Sequence, residues 1–295
     1  MNINCEYYKV FYYSAKLGSF SKAAEALMNS QPNLTRTIKN LENELGCVLF
    51  TRSNRGLALT PDGERLFGHI EIAFRHISEG EEEIMMNKGL AQGVVTVGAS
   101  EVALHCLLLP ILKQYRALYP GVKLYISNYT TSQAIDAVKN GTVDFAVVTA
   151  PKTKPAELLL RHIVPVTETA ICSRSLITSD EPILLSELEN YPLIMLNSRT
   201  LTYEFYAEFF ARNGVSFSPA IEAATADQIL PMVRADLGVG FVPLQFIKEA
   251  PDVRTLRLNV EIPRRSVALI KRKDQLSAAA KELEKLILSH STLSS

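Results

Sequence analysis

Ser30-Gln31-Pro32-Asn33-Leu34-Thr35-Arg36-Thr37-Ile38-Lys39-Asn40-Leu41-Glu42-Asn43-Glu44-Leu45-Gly46 is the stretch whose reading decides the N-terminal fold. Leu34, Ile38, Leu41 and Leu45 recur at the helical period, which predicts a helix from about Pro32 to Leu45 with one buried face. Ser30 stands where an N-cap belongs, Pro32 falls in the first turn, where a missing N–H costs nothing, and Gly46 follows the last turn. The other face carries Gln31, Asn33, Thr35, Arg36 and Lys39. Short polar and basic side chains on a helix meet base edges and phosphates, but they also describe an ordinary solvated face. The flanking sequence has to decide between the two.

Upstream, Tyr7, Val10, Phe11, Ala15 and Leu17 follow a helical period, and Gly18 stops that helix. Ser21 is placed to cap a second helix, Lys22–Met28, which opens on the small pair Ala23-Ala24. Met28-Asn29-Ser30 is then a tight turn. Two short helices crossing closely through such a turn form a helix-turn-helix. Downstream, Leu49-Phe50-Thr51-Arg52-Ser53-Asn54-Arg55-Gly56-Leu57-Ala58-Leu59 reads as strand, basic turn, strand: a wing, with Arg52 and Arg55 available to the phosphate backbone. Thr60 caps a long helix that has Pro61 at its first position.

Gly18-Ser19-Phe20-Ser21-Lys22-Ala23-Ala24-Glu25-Ala26-Leu27, Ser30-Gln31-Pro32, Ile38-Lys39-Asn40-Leu41-Glu42, Glu44-Leu45-Gly46, Leu49-Phe50-Thr51-Arg52 and Leu59-Thr60-Pro61-Asp62-Gly63 resemble the LysR-type transcriptional regulators. The resemblance is dense over about sixty residues. It implies a winged helix-turn-helix in which Ser30, Gln31, Pro32, Asn33, Thr35, Arg36, Lys39, Arg52 and Arg55 meet double-stranded operator DNA. Asn33 and Thr35 stand where that family usually has Ala and Ser, so they are candidates for this chain's own operator preference.

Lys+Arg and Asp+Glu balance at 31 each over 295 residues. The balance is uneven along the chain. Residues 1–60 hold seven basic and four acidic side chains; residues 61–92 hold three basic and seven acidic. A basic head on an acidic stalk suits a DNA partner better than the net charge does. On the stalk, Leu66, Ile70, Ala73, Ile77, Gly80 and Ile84 keep a 3.5-residue period, the pattern of a helix–helix seam. It predicts self-association, as a homodimer or homotetramer, which the resemblance also implies. A helix packed on its own domain is the other reading of the same pattern.

Beyond Gln92-Gly93, strands and helices alternate: Val94–Val97, Leu104–Leu118, Val122–Ser127, Gln133–Asn140 after Ser132, and Val143–Thr149. A second set runs Ile163–Ser173, Leu193–Leu196, Tyr203–Asn213, Ala220–Ala223, Asp227–Ala235 and Gly238–Val242, and the chain closes with Ser266–Lys271 and Ala278–Ser289. These βαβ units predict parallel sheets. The fold class is therefore a multi-domain α/β protein. The expected division is a head at 1–60, a linker helix at 61–91 and a ligand-binding part at 92–295. The resemblance implies that the last is a two-lobed, periplasmic-binding-protein-like effector domain, with lobe I at about 92–162 and 266–295 and lobe II at about 163–265.

Ligands of open α/β sheets bind beyond the carboxyl ends of strands, at helix starts. Ser100, Thr130, Ser132, Asn197, Thr200, Thr202 and Thr225 hold such positions and point to a small anion, with Arg199 as a further carboxylate partner. Each is also an ordinary N-cap candidate. His69, His76, His105, His162 and His290 form no metal-ligand spacing, and no phosphate loop or nucleophile elbow appears. No cofactor and no catalysis are expected. An α/β enzyme or transport-binding lobe with a fused helical head is the alternative. Cys5, Cys47, Cys106 and Cys172 are scattered and read as small buried residues of a reducing, cytoplasmic protein, which disfavours a paired-cysteine redox sensor. No membrane span or secretory segment is expected.

Overall fold

In the computed structural model, residues 4–53, 56–85, 93–179, 181–247, 250–273 and 276–291 are described. Expectations placed on Arg55, on 86–91 and on Gln92 lie outside them. The chain divides into two units, Met1–Ile84 and Met85–Ser295.

In the first unit, α1 (Cys5–Leu17) ends at Gly18, whose φ of 59° is left-handed. That reversal leaves Ser19 extended, and Ser19, not Ser21, accepts from the Lys22 N–H at 3.4 Å. Helix α2 is therefore Phe20–Ala26, two residues earlier than Lys22–Met28. The freed Ser21 hydroxyl donates to Gln31 Oε1 at 3.1 Å. Helix α3 runs Gln31–Leu45, with Ser30 at its N-cap position but no capping bond from that side chain. Leu34, Ile38 and Leu41 pack with Val10, Phe11, Ala23, Ala24 and Leu49 in one core.

Strands β1 (Phe50–Ser53) and β2 (Gly56–Leu59) pair antiparallel, Arg52 opposite Leu57. Thr60 Oγ1 accepts from the Gly63 N–H at 3.0 Å and starts α4 (Pro61–Met85). The first residues of the seam are used within the unit itself: Leu66 and Ile70, with Phe67, pack on the head core. Tyr12 stacks on both Phe67 and Phe74, with centroids at 5.8 and 5.0 Å. Further along, Ala73 and Ile77 are exposed.

The second unit holds two five-stranded sheets. The first has the order β4-β3-β5-β12-β6: Val122–Asn128, Gly93–Ala99, Phe145–Thr149, Arg265–Lys271, Leu159–Val166. The second has the order β11-β7-β10-β8-β9: Val253–Leu256, Glu168–Ser173, Val239–Pro243, Leu193–Leu196, Ile221–Ala223. Neither sheet is fully parallel, because β12 runs antiparallel to β5 and β6, and β7 antiparallel to β10 and β11. The strand expected over Ile163–Ser173 is two strands, one in each sheet, with Thr167 between them. The chain thus crosses between lobes at Thr167 and again over 257–264. Val166 and Arg265 belong to the first sheet, where the sequence had placed both in the second lobe.

Helices α5 (Glu101–Ala103) and α6 (Leu109–Leu118) are joined through a π-helical turn, Leu104–Leu108, so this helical run starts three residues before Leu104. The others are α7 (Thr131–Lys139), α8 (Leu201–Arg212), α9 (Ile229–Arg234) and α10 (Ala278–Ser289). Alternation alone did not reveal β11 or the 3-10 turn at Leu185–Asn190.

Candidate DNA-reading face and ligand cleft

The outer face of α3 is built by its own turn. Gln31, Pro32, Arg36 and Lys39 are exposed, and Asn33 and Thr35 are half-buried. Asn29 Oδ1 accepts from the Ser30 N–H at 2.8 Å and from Asn33 Nδ2 at 3.0 Å. Asn33 Oδ1 in turn accepts from Arg36 at 3.4 Å. Thr35 Oγ1 donates back to the Gln31 carbonyl at 3.0 Å. The ladder Asn29–Asn33–Arg36 restricts rotamers before any partner arrives, while the Asn33 amide keeps one donor and one acceptor site. Asn29 was not singled out from the sequence, since a turn asparagine is common for its left-handed tolerance alone.

In the second unit, a cavity of about 190 Å³ opens where the lobes face each other. Ser100, Thr130, Thr200, Thr202 and Thr225 line it, as the sequence predicts. Ser132 does not: α7 starts two residues earlier than expected, so Thr130 caps it, in a reciprocal box with Gln133, and Ser132 is turned to solvent. Asn197 is also outside the lining. Its Oδ1 accepts from the Arg199 N–H at 3.1 Å and its carbonyl from the Thr200 hydroxyl at 2.9 Å, so it shapes the loop before α8. Arg199 is exposed and away from the cavity. Ser100, Thr130 and Thr200 each accept from a helix N–H three residues on. Thr130 Oγ1 donates to Gln133 Oε1 at 3.0 Å and Thr200 Oγ1 to the Asn197 carbonyl, so the donors offered to the cavity are the Ser100, Thr202 and Thr225 hydroxyls and the remaining first-turn N–H groups. Tyr129, Val102, Leu196 and Leu201 supply apolar wall, and Glu101 also lines the space.

Periodicity does not reveal a buried assembly at the lobe crossings. Arg265, the first residue of β12, donates to Glu168 Oε1 at 3.1 Å and to Thr202 Oγ1 at 2.8 Å, and lies 4.8 Å over the Phe205 ring. The Tyr206 hydroxyl donates to Glu168 Oε2 at 3.1 Å. Glu168 and Arg265 side chains are 3% and 9% exposed, so this is a buried ion pair with its lone pairs satisfied. Burial, and then the Glu168 charge, push the Tyr206 phenol well above its ordinary range and keep it a donor. The guanidinium thus ties the second crossing to the first and to a side chain of the cleft.

Of the cysteines, Cys172 is buried, Cys47 and Cys106 are half-buried, and Cys5 is exposed, against the expectation that all four are interior. Burial raises the Cys172 thiol pKa, which disfavours the nucleophilic thiolate a peroxide sensor requires. No cluster of metal-ligating side chains occurs among the described residues, and no described helix is long and apolar enough to cross a membrane.

A winged helix-turn-helix on one unit and a hydroxyl-lined interlobe cavity on the other define a ligand-responsive DNA-binding regulator. The sequence profile of the bacterial regulatory helix-turn-helix protein, lysR family, matches residues 6–64, and that of the LysR substrate binding domain matches 88–292. The chain belongs to the LysR family: a DNA-binding transcription regulator with an effector-binding domain, whose partners are DNA and a small effector. It is 26% identical over 283 residues to the HTH-type transcriptional regulator GltR of Bacillus subtilis, covering 94% of this chain and 93% of that one. It is 28% identical over 234 residues to AlsR of the same organism, covering 76% and 75%. In fold it is similar to full-length CbnR complexed with its target DNA, with TM-score 0.74 and 18% identity over 98% of this chain and 100% of that one. It is likewise similar to a full-length OxyR variant from Pseudomonas aeruginosa, with TM-score 0.67 and 21% identity over 98% and 95%.

Proposed function

We propose that Gln31, Asn33, Thr35, Arg36 and Lys39, with Ser30 and Pro32 at the helix start and Arg52 and Arg55 from the wing, contact operator DNA. Ser100, Thr130, Thr200, Thr202 and Thr225 contact the effector. The observation that carries the second assignment is the cavity itself, where groups at residues 100, 130, 200, 202 and 225 converge. Donors without a lining cation suit a carboxylate, whose oxygens accept from hydroxyl and first-turn N–H groups. The functional division is a DNA head at 1–60, a linker helix at 61–91 and an effector domain at 92–295. The outer residues of α4, Ala73 and Ile77 among them, form the pairing surface between copies, and the protein works in the cytoplasm without catalysing a reaction.

The ligand binds the closed arrangement of the lobes more tightly than the open one and shifts the population towards it. Arg265 holds α8 to both crossings, so a change at Thr202 is felt where the lobes join. Gel shifts at graded salt test the head: Arg36→Ala and Arg52→Ala each weaken operator binding, and unchanged binding by both removes the assignment. A thermal-shift screen of a metabolite library tests the cleft. Ser100→Ala and Thr130→Ala abolish the response to whichever compound stabilises the wild type, while apo DNA binding stays intact. Retention of that response in both variants places the effector elsewhere.

A further inference from the structure

The cavity walls carry donors at several places but a single charged side chain. Among the described residues lining it, Glu101 is that side chain, and no Lys, Arg or His joins it. Glu101 is only 19% exposed and is the first residue of its helix. Beside it, one turn on, stands His105, whose Nε2 is 3.5 Å from Glu101 Oε2 and whose ring packs edge-on to Phe246 at 5.2 Å. Arg265, behind the wall, is already paired with Glu168.

A purely anionic ligand therefore meets good donors at the starts of α7 and α8 but also faces the Glu101 carboxylate. A simple amine satisfies Glu101 but leaves the convergent hydroxyl and N–H donors without an acceptor. A molecule carrying both charges answers both halves of the wall.

Building on the effector-site reading, we propose that the cleft takes a zwitterionic α-amino acid, its ammonium on Glu101 and its carboxylate on the Thr130–Thr131 and Thr200–Thr202 helix starts. The size agrees: about 190 Å³ exceeds the roughly 150 Å³ that holds a benzene-sized molecule. Val102, Leu196, Leu201 and the Tyr129 ring leave an apolar space for a neutral side chain of middle size. Glu101 is then the residue that separates amino acids from the corresponding carboxylic acids.

The test uses the full chain in a thermal-shift titration with each of the twenty L-amino acids. For any that binds, its des-amino carboxylic acid and its decarboxylated amine follow. At least one amino acid raises the melting temperature, while its des-amino and decarboxylated forms bind ten-fold or more weakly. Glu101→Gln weakens the amino acid ten-fold or more and improves the des-amino acid relative to it. Glu101→Asp, which keeps the charge and guards against loss of folding, retains the preference. Equal binding of the des-amino acid, or no response to any amino acid, overturns the ligand class. If a broader metabolite panel still yields a binder that depends on Ser100 and Thr130, the effector reading survives that failure; if it yields none, both fall.

Discussion

The two units place their polar chemistry in opposite ways. In the head, the proposed reading groups of α3 lie within ten residues on its exposed and half-buried face and are held by neighbours one turn away: Asn29, Asn33 and Arg36. In the effector unit, residues from 100 to 265 meet at the seam of two sheets. The Arg265–Glu168 contact there is buried and spans 97 positions. A surface built on one helix tolerates substitution in its fold and loses only binding. A buried joint loses its fold when one partner goes, because an unpaired charge remains in a poorly solvated place.

The largest expected effect follows from that. Arg265→Met leaves Glu168 and the Thr202 hydroxyl without their donor and destabilises the second unit by about 3–5 kcal/mol. Urea unfolding monitored by fluorescence measures it. Adding Glu168→Leu restores most of the loss, since an apolar pair replaces a stranded charge. A double variant as unstable as the single would show that the site depends on the charges themselves.

Two glycines separate the units more cleanly. A Cβ at Gly63 would lie 2.2 Å from the Leu49 carbonyl oxygen, and one at Gly238, where φ is +151°, 2.1 Å from that of Pro192. Neither oxygen is a flexible side-chain end, so each alanine substitution forces backbone to move, at roughly 1–3 kcal/mol or more. Gly63→Ala weakens DNA binding and leaves ligand-induced stabilisation unchanged; Gly238→Ala does the reverse. Calorimetry with and without operator DNA shows whether the two units melt separately as this contrast demands.

Substitutions on the α3 face are milder for the fold. Asn33→Ala removes one amide and the Arg36 partner, and relaxes preference at one adenine by about 1–3 kcal/mol of discrimination, read by competition among operator variants. Lys39→Ala is the smallest change. It lowers affinity evenly across sequences and reduces the slope of log K against log salt by about one. A Lys39→Ala effect confined to one base pair would reverse the assigned roles.

Legibility from sequence follows the same divide. Leu34, Ile38 and Leu41 announced α3 because a helix buries one face at a period visible in the chain. Ala278–Ser289 was read to the residue for the same reason. The cap of α2 was misplaced by two residues because Gly18 turns the chain early, a choice between adjacent serines that composition does not make. The heptad positions on α4 divide: Leu66 and Ile70 serve the head core, while Ala73 and Ile77 face outward. Periodicity reports that a face is covered, not by what.

By itself the sequence determined the helix-turn-helix, the wing, the stalk and the alternation of strands and helices, because each is written in neighbours a few residues apart. Of the seven residues it marked for the cleft, largely through the tendency of Ser and Thr to cap helices that start beyond strands, five line the cavity. Only the tertiary structure decided which of those starts face one another, that Ser132 and Asn197 do not join them, and that Glu101 does. It alone brought Arg265 to Glu168, because that contact depends on antiparallel returns and on crossings at Thr167 and 257–264, where strand register rather than local propensity determines which residues meet.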